Sequence, residues 1–180
     1  MSSTNILYFD LETQRSANDV GGWNHKSKMG MSVAVTFSTR TGHYRIYDES
    51  NAFELADELR TADLVVGFNH LHFDLHVLQP YTMWDLAHHT INLDLMIELE
   101  QKLGHRLKLE ALALATLGFG KTADGLEAIR WWREGRVMDI AKYCAYDVKV
   151  TRLVHEFGRE KGHVKYVDRF GRPQAVEVKW

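Results

Sequence analysis

The chain has 180 residues, of which 45% are hydrophobic and 26% charged, enough apolar material to close one substantial core at the usual size of a single domain. Two prolines, no low-complexity stretch and one cysteine, Cys144, exclude a disordered linker-rich chain, an internal disulfide and a cysteine-ligated zinc centre. The polar opening MSSTN is followed by no long apolar run, so neither a signal peptide nor a membrane span is expected, and a cytoplasmic location is. One domain over residues 1–180 is expected, with its core at about 5–160 and a C-terminal hairpin at about 163–180.

The formal net charge of −2 hides a polarity along the chain. Residues 1–120 carry a net −6 and residues 121–180 a net +4. A basic C-terminal third suits phosphates beside an acidic, cation-filled site, although an ordinary solvated helix surface accounts for the same charges.

In chain order, NILYFD at 5–10 reads as a buried strand with an acidic end, followed by a polar loop to residue 28. MSVAVTFS at 31–38 and HYRIYD at 43–48 read as strands joined by the turn TRTG. Asn51 is expected to cap a helix over 52–60. A short strand at 64–67 and a helical stretch at 73–78, ended with the help of Pro80, come next. From residue 108 the pattern is helical: LEALALATLG with a glycine to end it, GLEAIRWWREG, then a long helix over about 138–160. VKYVD at 164–168 and AVEVKW at 175–180 alternate around FGRP as a terminal hairpin. The expected class is α/β, a mixed sheet built from an early meander and then alternating strands and helices.

Three pieces of this chain suit chemistry. Asp10 and Glu12 lie two apart on one strand, so both carboxylates leave the same face, where they repel unless a divalent cation neutralises them. Hard oxygen ligands point to Mg²⁺ or Mn²⁺. Taken alone, such a pair is more often a solvated strand end. In NHLHFD, Asn69 follows the fourth strand and Asp74 opens a helix, at the strand edge where α/β folds bind ligands; an ordinary strand-to-helix turn explains this too. Phe73 offers an apolar face to a terminal base. In the long helix, Tyr143 and Asp147 are four apart and share one face. Asp147 suits a metal shell completed with Asp10 and Glu12. A tyrosine of ordinary pKa near ~10 is a poor base at neutral pH, so its hydroxyl is assigned to orienting water.

The runs FDLET, NHLHFD and YCAYD, in this order, resemble the three motifs of the DEDD superfamily of 3′-to-5′ exonucleases, which share a ribonuclease H-like fold. The tyrosine four residues before the last aspartate resembles the branch that contains the proofreading domains of family B DNA polymerases, and KLEALALATLGFGK resembles their segment between the second and third motifs. The resemblance covers residues 5–159. It implies that Asp10, Glu12, Asp74 and Asp147 hold two divalent ions, Mg²⁺ or Mn²⁺, about 3.5–4 Å apart, that Tyr143 positions the water, and that Thr13, Asn69 and Phe73 hold the terminal nucleotide. The implied activity is that of a stand-alone exonuclease releasing nucleoside 5′-monophosphates from single-stranded DNA. RNA as substrate, and a catalytically silent nucleic-acid-binding module, stay open as alternatives.

Other signals are weighed against this. His70, His72, His76, His88 and His89 form a sequence cluster, but only His72 and His76 have helical spacing and no zinc-protease glutamate lies between them, so surface histidines are expected. Asp94 is expected to be structural or to support the metal ligands from behind. Trp131 and Trp132 point about 100° apart on a helix, and at least one is expected in the core. Cys144 is expected to be buried and inert. The loop 14–28, with Trp23, His25 and Lys28, either shapes a substrate channel or is mere surface.

Overall fold

The structure is a computed structural model that describes residues 4–120 and 125–180. Lys121, the last residue of the KLEALALATLGFGK stretch, and the first three residues of MSSTN lie outside these. Five strands form the main sheet: β1 (Ile6–Thr13), β2 (Met31–Ser38), β3 (His43–Asp48), β4 (Leu64–Gly67) and β5 (Asn92–Asp94). Their spatial order is β3-β2-β1-β4-β5. β1 and β2, like β2 and β3, are antiparallel, whereas β4 runs parallel to β1 and β5 parallel to β4. The parallel central strands bring the C-terminal ends of β1 and β4 to one edge, where loops can build a site.

Helices cover both faces. On one side α2 (Ala52–Thr61), α3 (Asp74–Leu78) and α4 (Leu86–His89) pack Leu55, Leu59, Leu78 and Leu86 against Leu7, Phe9 and Leu11 of β1. On the other side lies the long α8 (Val137–Lys161), with α5 (Leu95–Leu103), α6 (Leu109–Leu117) and α7 (Gly125–Arg133) around it. α8 buries Ile140, Cys144, Asp147, Thr151, Val154 and Gly158, the three-and-four spacing of one helix face. Each large apolar side chain so covered stabilises the fold by about 1.5–3 kcal/mol. The period of two in β1 thus sends Leu7, Phe9 and Leu11 one way and Tyr8, Asp10 and Glu12 towards α8.

β2 is buried at every position, because helices cover both of its faces. Its register against β1 skips Ser32: Glu12 pairs with Val33, but Thr13 pairs with Met31. The extra residue switches faces, so Met31 joins the α2 side while Val33 stays on the α8 side. The irregularity falls directly after the acidic pair.

The hairpin is present as β6 (His163–Val167) and β7 (Pro173–Glu177), and Gly118 ends α6 in the left-handed conformation at φ 80°. Several boundaries differ from expectation. β1 continues to Thr13 instead of stopping at residue 10, because β2 offers it pairing partners as far as Met31. The segment 14–28 holds α1 (Ala17–Val20), closed by a Ser16–Asp19 capping box, and a 3₁₀ segment at Trp23–Lys28. Asn51 makes no side-chain cap on α2; its Oδ1 accepts instead from the Asp48 N–H at 2.9 Å. α4, β5 and α5 were not anticipated, since three residues are too few for β5 to show a period. α5 did carry readable signals, Asp94 at its start and Gly104 at its end. No helix among the described residues is long and apolar enough to cross a membrane.

Candidate functional site

The parallel edge gathers Asp10 and Glu12 from β1 and Asp147 from α8. One ligand oxygen from each lies within 4.8 Å of the other two. Three carboxylates this close repel one another strongly unless they share a cation, and hard oxygen donors fit Mg²⁺ or Mn²⁺. The donor set therefore suits a divalent ion.

Asp74 lies outside this 4.8 Å group. It is buried, and its Oδ1 accepts from the Leu11 N–H at 3.0 Å, midway between the two β1 ligands in sequence. Burial raises its pKa most, the Leu11 N–H opposes that, and Asp94 and Asp147 raise it further. An arriving cation would reverse the balance.

Cys144 is fully buried, as expected, but it touches the site. Its Sγ donates to the Asp10 backbone carbonyl at 3.2 Å and to Asp10 Oδ2 at 3.3 Å. Burial first, then the neighbouring Asp10 and Glu12 charges, push the thiol well above its ordinary pKa. It is a thiol donor at neutral pH, not a nucleophile.

Tyr143 lies one helical turn before Asp147 and is buried, its ring edge-on to Trp131 at 5.9 Å. Trp131 and Trp132 are both half-buried against the core, and the Arg136 guanidinium lies over Trp131, 5.5 Å from its ring centroid.

The turn after β4 is built around Asp94. Asp94 accepts from the N–H groups of Asn69 (2.8 Å) and Leu71 (3.0 Å), and also caps α5 through Met96 and Ile97. One buried carboxylate thereby ties the loop carrying Asn69, Phe73 and Asp74 to the start of a helix. Asn69 adopts φ 66°, a left-handed conformation that asparagine tolerates better than most residues. Its Oδ1 is buried with no hydrogen-bond partner among the described residues. His70 corrects the expectation of surface histidines: it is fully buried, Nε2 bonded to Asn92 at 3.1 Å and Nδ1 3.4 Å from Asp94. It fits because Gly67 lacks a side chain; a Cβ there would stand 2.6 Å from His70 Nδ1. His72, His76, His88 and His89 are exposed.

Thr13 is buried and donates to the Arg15 carbonyl at 3.0 Å. With Glu12 and Phe73 it lines a cavity of about 570 Å³ next to the carboxylates. Asn69 and Phe73 line a second cavity of about 500 Å³. The structure thus brings Asp10, Glu12 and Asp147 together, bonds Asp74 to the Leu11 N–H between the two β1 ligands, keeps Tyr143 one helical turn from Asp147, and puts Thr13, Asn69 and Phe73 on flanking cavities. Sequence reasoning missed Leu126, Lys26 and Arg106 as cavity residues, and no local pattern marks them.

Comparison with known proteins bears on the fold. Among curated proteins none matches in sequence. A family B DNA polymerase from the hyperthermophilic archaeon Pyrobaculum calidifontis has a similar fold, with a TM-score of 0.60 and 15% identity over 88% of this chain and 24% of the polymerase. The zinc-bound E. coli ExoI–ssDNA complex is also similar, with a TM-score of 0.57 and 12% identity over 88% of this chain and 41% of that one. The chain spans less than half the length of either. The sequence model described as the RNase_H superfamily matches residues 7–157, most of the chain, and the protein belongs to that superfamily.

Proposed function

We propose that the protein is a metal-dependent 3′-to-5′ exonuclease acting on single-stranded DNA. The observation that carries this reading is the approach of Asp10, Glu12 and Asp147 to within 4.8 Å of one another at the strand edge of an RNase H superfamily fold. Asp10, Glu12, Asp74 and Asp147 would hold two divalent ions, Mg²⁺ or Mn²⁺. Such ions, when bound, lower the pKa of water and stabilise charge on the leaving 3′-oxygen.

The chain's own residues supply the rest. The Leu11 N–H holds the Asp74 carboxylate against β1, and the Cys144 thiol holds the Asp10 carboxylate. The Tyr143 hydroxyl orients the attacking water by hydrogen bonding. Thr13 and Phe73 bound the chamber for the terminal nucleotide, and Asn69 contributes a polar side chain to the adjoining cleft that Phe73 also lines.

The test incubates the protein with matched 5′-labelled DNA and RNA oligonucleotides in Mg²⁺, Mn²⁺ or EDTA. A ladder shortening from the 3′ end with metal alone supports the reading, and faster shortening of DNA supports the substrate. Cleavage in EDTA, internal cutting, or loss of label from the 5′ end would sink it.

A further inference from the structure

The two cavities beside the carboxylates share one wall. The first runs from Glu12 and Thr13 past Leu126 and Ile129 and is largely apolar; the second is bounded by Lys26, His72 and Arg106. Trp23 and Phe73 line both. Their rings meet edge to face at 6.1 Å and 62°, so they form a ridge between an apolar chamber on the Glu12 side and a basic cleft.

Trp23 stands 66% exposed on this ridge, with an aromatic face open to solvent. The segment that carries it is tied down at both ends, and just before Trp23 the Gly22 N–H donates to the Ala17 carbonyl at 2.7 Å. The Gln14 and Arg15 N–H groups donate to the carbonyls of Gly30 and Met29, and Arg15 Nε donates to that of Lys28 at 2.9 Å. On the other flank Arg133 Nη2 reaches Asp19 of α1 at 2.9 Å. An exposed indole beside a cleft lined by Lys26 and Arg106 matches the way single strands are bound: bases stack on the ring and phosphates follow the positive charge.

We propose that this ridge sets the register of a single-stranded nucleic acid. The 3′-terminal nucleotide occupies the chamber beside Glu12, an unpaired base shortly upstream stacks on Trp23, and the phosphates flanking that base cross into the cleft of Lys26 and Arg106. The position of the 3′ end rests on the exonuclease reading; the stacking and the phosphate path do not. A base inside a duplex has both faces covered by its neighbours, so the ridge selects unpaired strands.

The experiment measures binding of 5′-fluorescein oligothymidylates by anisotropy in EDTA, where no metal supports cleavage. The oligonucleotides carry one abasic residue placed in turn at each position from the 3′ end. Trp23→Ala should weaken binding of the intact strand about five- to hundred-fold, the span of one lost base–aromatic stack, with Trp23→Phe in between. For the wild type, an abasic residue at one upstream position should cost a similar factor, and in Trp23→Ala that penalty should vanish. Lys26→Ala should make the salt dependence shallower by about 0.7 in log–log slope. Trp23→Ala binding within two-fold of wild type, or the same abasic profile in both proteins, overturns the proposal. Running the same strands in Mg²⁺ and Mn²⁺ separates the two readings. Coupled binding without shortening keeps the ridge and rejects the nuclease; shortening by Trp23→Ala at the wild-type rate keeps the nuclease and rejects the ridge.

Discussion

The thiol of Cys144, buried in the middle of α8, donates to the Oδ2 of Asp10 on β1 at 3.3 Å. A residue whose only sequence-level property is its apolar environment therefore steadies one member of the carboxylate trio. Cys144→Ser keeps a donor and should leave Mn²⁺ affinity close to that of the wild type. Cys144→Ala removes it and should weaken Mn²⁺ binding about two- to ten-fold, the range of one modest hydrogen bond. Titration calorimetry distinguishes the two, and equal affinity in both variants would remove Cys144 from the site.

Metal should stabilise the fold. Ligands that bind only the native state add about 2.7 kcal/mol at one hundred times their Kd, which for a chain of this size is a rise in Tm of roughly 5–10 °C. Thermal denaturation with and without Mn²⁺ measures it. Asp10→Ala should remain folded in EDTA, lose most of the Mn²⁺-dependent rise, and lose metal-dependent cleavage. A full Mn²⁺ shift in that variant would contradict the assignment of Asp10 as a ligand.

Asp94 should matter more for stability than any other carboxylate near the site. Asp94→Ala removes two oxygens that accept four hydrogen bonds, Oδ1 from the N–H groups of Asn69, Met96 and Ile97 and Oδ2 from that of Leu71, at a cost of about 3 kcal/mol. Asp94→Asn keeps one acceptor oxygen and should cost less. Urea unfolding gives the order, and equal midpoints for wild type and Asp94→Ala would refute the clamp.

Acid should destabilise the fold through His155. It is buried under β1, where Nδ1 meets the Tyr8 hydroxyl at 2.8 Å. Burial, and then the Arg159 charge, depress its pKa to about 4. Unfolded histidine titrates near 6.5, so the unfolded chain binds the extra proton between these values. The contribution is intact above about pH 6.5 and is lost as pH falls towards 4, on the order of 3 kcal/mol in all. His155→Gln, which retains an acceptor for Tyr8, should flatten the stability profile over this window in urea titrations at stepped pH.

Gly67→Ala should be costly at a position that looks unremarkable in sequence. The added methyl meets the fully buried His70 ring at 2.6 Å, and overpacking of this kind costs about 1–3 kcal/mol. A denaturation midpoint unchanged from wild type would show that the 69–74 turn can move aside.

Much of the site was legible because its residues obey local periodicities. Asp10 and Glu12 share a face by the period of two in a strand, and Tyr143 and Asp147 by the period of a helix. MSVAVTFS was legible as the strand β2, though not its burial on both faces, and Gly118 marked the end of α6. These are properties of a few consecutive residues, so they can be read without the fold.

What the sequence could not supply are relationships between distant residues. The skip at Ser32 that follows Glu12, the thiol of Cys144 against Asp10, and the burial of His70 under a glycine each depend on which strand or helix lies alongside. The shared wall of Trp23 and Phe73 joins residues fifty positions apart, and Lys26 and Arg106 meet across one cleft from opposite sides of the motif between them. Residue type and spacing alone determined which groups can ligate a cation. Packing decided which of them meet, because distances between side chains far apart in the chain are set by the close fit of helices on the sheet.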